Sequence, residues 1–212
     1  MGYKTYSCPS SKRCGGCQWL AVPYPIQLKR KMDEVQDLLG KFGSIEPIIG
    51  MDEPFHYRNK VHAAFALDRR RQIVSGIYQS SSHAVVPVDN CLIEDELADR
   101  IIVSIRGMLR EFRLQVYDER SGTGWLRHVL VRRGFTSGQV MVVLVAASPV
   151  FKNQKAFLSE LLKGFPEIRT VVLNVNDRFG PVVLGTREKV LFGSGYIEVV
   201  LGGHRFRISP RS

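Results

Sequence analysis

Tyr57-Arg58-Asn59-Lys60-Val61-His62-Ala63-Ala64-Phe65-Ala66-Leu67 is the stretch that decides the fold. Successive side chains of an extended segment point to opposite faces, so Val61, Ala63, Phe65 and Leu67 share one side and Lys60 and His62 the other. This is a half-buried strand with a basic outer face. Two short strands should follow at 73–78 and 83–88, with Arg69, Arg70 and Arg71 in the turn before them. Further strand-like segments run over 114–118, 127–133, 139–147, 168–175, 181–184, 189–192, 196–201 and 204–208. Gly202-Gly203 reads as a tight two-residue hairpin between the last two.

Three helices interrupt the strands, at 25–39, 92–112 and 152–163. The first carries Leu28, Met32, Val35 and Leu39 as one apolar stripe, accepts Pro25 at its start, and stops at Gly40 and Gly43. The second has Glu94, Asp95 and Glu96 in its first turn, where the helix dipole favours acids, and Leu97, Ile101, Ile105, Met108 and Phe112 along its core side. Strands joined by short links, with helices between groups of them, predict an α+β fold on an antiparallel sheet rather than a doubly wound parallel one.

The chain has 212 residues, 44% of them hydrophobic, which suffices for one large or two small domains. No apolar run is long enough to predict a membrane span, and the start lacks a signal-peptide plan, so the expected compartment is the cytoplasm. The net charge of +10 points to nucleic acid first and to an anionic membrane surface second. Basic residues interleave with His and aromatics at 57–62, 125–128, 132–133 and 204–207. They lie on strands and turns rather than on one amphipathic helix, which suits a surface that tracks phosphates and argues against a membrane partner. Arg58, Lys60, His62, Arg127, His128 and Arg132 are the candidate RNA contacts.

The four cysteines are Cys8, Cys14, Cys17 and Cys91. Three fall in Cys8-Pro-Ser-Ser-Lys-Arg-Cys14-Gly-Gly-Cys17 and the fourth precedes the second helix. Four thiolates meet the needs of a tetrahedral zinc or a cubane iron–sulfur cluster. The gap from Cys8 to Cys14 is long for a zinc finger, and three close cysteines plus a remote one fit an iron–sulfur site better. Two disulfides or unrelated buried thiols are the other readings, disfavoured in a cytoplasmic chain large enough to build a core. Helix N–H groups near Cys91 should lower its thiol pKa.

Other chemistries are poorly served. His62, His83, His128 and His204 are not at metal-ligand spacing. Ser121-Gly122-Thr123-Gly124 lacks the third glycine of a dinucleotide loop and the lysine of a phosphate loop, and reads as a turn. There is no Gly-x-Ser-x-Gly elbow, and cysteines spent on metal leave no thiol for nucleophilic attack.

Cys8-x5-Cys14-Gly15-Gly16-Cys17-Gln18, followed by Gln27-Leu28-Lys29 and a helix, resembles the iron–sulfur segment of the bacterial SAM-dependent RNA (uracil-5-)-methyltransferases. The likeness continues through Tyr57-Arg58-Asn59-Lys60, Gly76-Ile77-Tyr78-Gln79, His83 to Cys91, Leu126 to Arg132, Leu173-Asn174-Val175-Asn176 and Phe206-Arg207-Ile208-Ser209-Pro210. The last of these looks like the opening of the family's Ser-Pro-x-x-Phe-x-Gln motif. The resemblance implies a [4Fe-4S] cluster on Cys8, Cys14, Cys17 and Cys91, and RNA as partner, ribosomal RNA ahead of transfer RNA. It further implies S-adenosylmethionine as cofactor of the full-length enzyme, held by a C-terminal Rossmann-like domain that also carries the nucleophile and base. That domain is expected to be absent here, as is an N-terminal TRAM domain, leaving no catalytic residue in the chain. The implied division is an iron–sulfur loop at 1–22, a helical segment at 23–50 that packs on the catalytic domain, an RNA-recognition domain at 51–203 that includes the fourth ligand, and the start of the SAM-binding domain at 204–212. The helical stripe should then be exposed. The rival readings are a basic electron carrier and a zinc-stabilised scaffold.

Overall fold

A computed structural model describes residues 4–80, 82–180 and 182–212. Residue 181, within the expected strand 181–184, and the first three residues of the expected 1–22 segment lie outside these. The strands are β1 (Lys60–Leu67), β2 (Ile73–Tyr78), β3 (Val85–Pro87), β4 (Leu126–Arg133), β5 (Val140–Ala146), β6 (Ile168–Val175), β7 (Arg187–Gly193), β8 (Ile197–Leu201) and β9 (His204–Ile208); the helices are α1 (Tyr24–Leu39), α2 (Glu96–Glu111) and α3 (Gln154–Gly164). The first seven strands form one sheet in the order β3-β2-β1-β4-β5-β6-β7, and β8 and β9 form a separate hairpin.

One pairing corrects the expected antiparallel sheet. β5 and β6 run parallel, with α3 as the crossover between them, while the other neighbours are antiparallel. Every residue of β5 is buried, the unbroken apolar run of a strand covered on both faces. The expected strand at 114–118 also fails to form; Val116 and Asp118 make only isolated bridges to Leu126 and Thr123.

The main core lies between the sheet and α2 with α3. Val61, Ala63 and Phe65 of β1, Val129 and Val131 of β4, and Val142 and Leu144 of β5 meet Ile101, Ile105 and Leu109 of α2 and Phe157 and Leu161 of α3. α2 is started by Asp95, whose carboxylate accepts the N–H groups of Leu97 and Ala98. The opposite face is covered over β4–β6 only. There Leu130, Met141, Val143 and Val172 pack under Ile197, with Val183, Leu184 and Ile208 at the margin. Asn174 and Asn176 pin the covering loop. The Asn174 amide donates to the Gly185 carbonyl and accepts the Gly185 N–H, and Asn176 donates to the carbonyls of Val182 and Val183. The β8–β9 turn is Gly202-Gly203 with φ of 57° and 79°, the left-handed pair a two-residue hairpin requires. This hairpin spans the expected 203/204 division.

α1 stands apart. None of its residues is buried, and Val35, Leu38 and Leu39 are exposed. The preceding cysteine loop is closed by backbone turns, with Ser11 donating to Cys8 and Cys14 to Ser10, and by a bridge from Cys14 to Gln79.

Candidate nucleic-acid interface

β1 and β4 are antiparallel neighbours with Lys60 opposite Arg132, His62 opposite Leu130 and Ala64 opposite His128. Directly opposed residues share a face. Lys60 and Arg132 therefore stand side by side on the face that the β8–β9 hairpin leaves open, and both donate to the Ser212 carbonyl. Further along this face the His62 and His128 rings lie 5.0 Å apart, and Tyr78 of β2 sits 6.1 Å from His128. The result is an aromatic row ending in two cations.

Burial disfavours the charged form of both imidazoles. Burial is the first cause for His128, followed by His62 and Arg127, and together they push it down to about 3; its Nδ1 has no hydrogen-bond partner. His62 is exposed at its edge, yet crowding by its neighbours and then the charge of Lys60 lower its pKa. These rings offer flat faces and hydrogen-bonding nitrogens rather than charge.

The other expected contacts lie elsewhere. Arg127 is only 5% exposed, and its guanidinium donates to the carbonyls of Asn176 and Arg178 and stacks on Tyr117 at 4.6 Å. It ties β4 to the loop after β6. Arg58 is half-exposed beside Glu94 at 4.0 Å, and its backbone docks on Ile93 and Asp95. Tyr78 escaped the sequence reading, although its alternation on β2 places it on the open face. His56 escaped too; its Nδ1 lies 2.8 Å from the Glu94 carbonyl oxygen.

The cysteines correct a second part of the expected fold. All four are half-buried free thiols, and among the described residues no group of three or more Cys, His, Asp or Glu side chains is placed to hold a metal ion. A preformed iron–sulfur loop is therefore not part of this fold. Cys91 also departs from expectation. Backbone N–H groups of Ile93 and Glu94 do lower its thiol pKa, but burial outweighs them, with Glu94 and Asp99 adding to the rise, to about 11. Glu94 is itself pushed up to about 7, by burial first and then by Asp99. As placed, the four side chains do not make a cluster cradle.

The arrangement is a sheet face that sets two cations beside a row of aromatic rings. No family model matches the chain. An uncharacterized RNA methyltransferase of Halalkalibacterium halodurans is 37% identical over 97% of this chain and 46% of its own length. A second, of Oceanobacillus iheyensis, is 37% identical over 94% of this chain and 44% of its own length. The solved structure of Pyrococcus abyssi tRNA (uracil-54, C5)-methyltransferase in complex with S-adenosyl-L-homocysteine superposes with a TM-score of 0.71 at 20% identity, over 93% of this chain and 46% of that one. What the chain shares with it is a fold. That fold, a mixed sheet shared with a methyltransferase chain, replaces the expected antiparallel sheet with an iron–sulfur loop. The chain belongs to the RNA methyltransferase family of these relatives, and it spans about half the length of the curated relatives it matches.

Proposed function

We propose that this chain is the RNA-holding part of a cytoplasmic, SAM-dependent enzyme that methylates uracil C5 in RNA, with ribosomal RNA the favoured substrate. The observation that carries the reading is the open β1–β4 face, where Lys60 and Arg132 stand together beside neutral His62. Two cations side by side hold phosphates, and flat neutral rings next to them accept bases. Buried His128 packs beside His62 on that face, and Arg127 ties β4 to the loop after β6. Support for the cofactor comes from the P. abyssi enzyme, whose structure holds S-adenosyl-L-homocysteine, the product SAM leaves after giving up its methyl group. In this scheme S-adenosylmethionine supplies the methyl, and this chain's residues bind and orient the RNA strand. The stripe of α1, half-buried at Leu28 and Met32 and exposed at Val35 and Leu39, lies in the 23–50 segment and is the surface on which the remainder of such an enzyme would pack.

The cysteines enter this proposal as side chains, not as a formed site. Cys14 and Cys8 both raise the Cys17 thiol pKa, after burial, so these three thiols share one neighbourhood. Iron and acid-labile sulfide per chain after anaerobic purification decide their role. About four of each would make them, with Cys91, ligands of a [4Fe-4S] cluster that draws them together. Neither would leave them as free thiols.

Salt-dependent RNA binding tests the main reading. Lys60→Ala and Arg132→Ala should each weaken binding and flatten the log–log salt slope by roughly one unit for each phosphate no longer neutralised. Arg58→Ala should do so only if its guanidinium leaves Glu94 for a phosphate. Unchanged slopes for both Lys60→Ala and Arg132→Ala would remove this face as the RNA surface.

A further inference from the structure

Between the cysteine loop, the start of α1 and residues 54–57 lies a cavity of about 500 Å³. That volume falls within the range of small-ligand pockets. Its walls carry five aromatic rings, from Tyr6, Trp19, Tyr24, Phe55 and Tyr57, together with Lys31, Glu34 and Cys17. Nothing in the sheet interface uses them. Several rings are fixed. Tyr6 meets Phe55 edge to face at 4.4 Å, and the Tyr24 hydroxyl accepts the Met51 N–H. The Gln27 amide, which donates to the carbonyls of Trp19 and Val22, holds the Trp19 segment against α1. Lys31 Nζ lies 5.7 Å from the centre of the Trp19 ring, so a cation stands at the edge of an aromatic face.

We infer that this cavity takes an unpaired nucleobase of the RNA, stacked on Trp19 and Tyr57, with Lys31 meeting the adjoining phosphate. An aromatic box in a purely hydrophobic groove would suit many apolar groups. Lys31 and Glu34 give the rim one charge of each sign, so the anion preference comes from Lys31 beside the Trp19 ring and from the chain's net charge of +10, and RNA combines flat rings with anionic charge. Position supports the same occupant. Tyr57 is 44% exposed and stands three residues before Lys60, so the cavity mouth lies about 10 Å along the chain from the basic end of the sheet. A strand held at Lys60 and Arg132 can therefore reach the cavity. The inference rests on the RNA-holding reading and adds a second, base-stacking site to it.

The test compares binding of a short oligouridylate with binding of the same oligomer carrying abasic sites, so that the backbone charge is identical. Trp19 fluorescence and a salt titration are followed for both. The unsubstituted chain should prefer the base-bearing oligomer by roughly 5- to 150-fold, the worth of one stacked base. Trp19→Ala and Tyr57→Ala should each bring that ratio towards one while leaving the salt slope unchanged, and Trp19→Phe should keep it. A ratio near one in the unsubstituted chain, or one that survives both alanine substitutions, overturns the cavity as a base site and leaves the basic face standing. If neither oligomer binds, the RNA-holding reading falls, and this inference with it.

Discussion

His128 gives the sharpest prediction, because its chemistry follows from its place in the sheet. The side chain is 5% exposed on β4, its Nδ1 has no partner, and burial, His62 and Arg127 together push its pKa from 6.5 to about 3. Below pH 6.5 the unfolded chain takes up a proton on this imidazole that the folded chain refuses. The stability gained by keeping the ring neutral is therefore whole above pH 6.5 and is lost as the pH falls towards about 3. At 1.36 kcal/mol for each pKa unit the full loss is about 5 kcal/mol, and about 2 kcal/mol of it should be gone between pH 7 and pH 5. Other groups titrate in that window. Glu94, raised to about 7, works in the opposite sense, binding its proton more tightly in the folded state. A variant comparison isolates the imidazole. Urea unfolding of the unsubstituted chain and of His128→Phe, from pH 7.5 to pH 4.5, should give stability curves that converge by about 2 kcal/mol on going from pH 7 to pH 5. Parallel curves over that interval would refute the account, because the imidazole would then titrate alike in both states.

Asp95→Ala should destabilise the fold by about 2–4 kcal/mol in urea titration, since it removes the α2 cap and leaves Arg133, now 3.0 Å away, without its buried carboxylate. Asp95→Asn should cost less, because the amide oxygen can still cap. Gly76→Ala should lower stability by several kcal/mol, because an added Cβ would stand 2.0 Å from the Val86 carbonyl oxygen and force β3 off the sheet edge. Near-wild-type unfolding of that variant would show that β3 is not closely paired there. On α1, Leu39→Glu should change stability by no more than about 0.5 kcal/mol, since the side chain is 50% exposed and the helix buries none of its residues in this chain.

How much could be read from the sequence depended on whether the covering element was local. β1 was legible because α2 follows it closely and covers its apolar face, so the alternation of Lys60 to Leu67 reports one buried and one open side. The Gly202-Gly203 hairpin was legible because two left-handed residues between strands have few other uses. β4 was not. Arg127 and His128 look like Lys60 and His62 in the sequence, yet the outer face of β4 is covered by Ile197 and the 182–185 loop, which arrive more than fifty residues later. The parallel β5–β6 pair was hidden for a related reason. A wholly apolar strand does not reveal its partner, and only the length of the α3 connection allows the parallel return. The cysteine loop failed differently, since spacing states which ligand set is possible and not whether the chain assembles it unaided.

The late covering of β4 also explains why the open face has its particular chemistry. Had the β8–β9 hairpin covered the sheet as far as β1, Lys60 and Arg132 would be buried cations needing partners, at a cost of several kcal/mol each. Had it stopped at β6, Leu130 and the inner face of β5 would be exposed. Lys60 and Arg132 lie beyond its apolar cover, and the His62 and His128 rings lie 5.0 Å apart further along the same face. A protonated imidazole there would repel Lys60 and Arg127, and burial already opposes its charge. Neutral rings are the groups that can sit beside both the core and the cations. They pack against one another beside the two cations, so the packing of β4 and the proposed RNA surface follow from the same arrangement of residues.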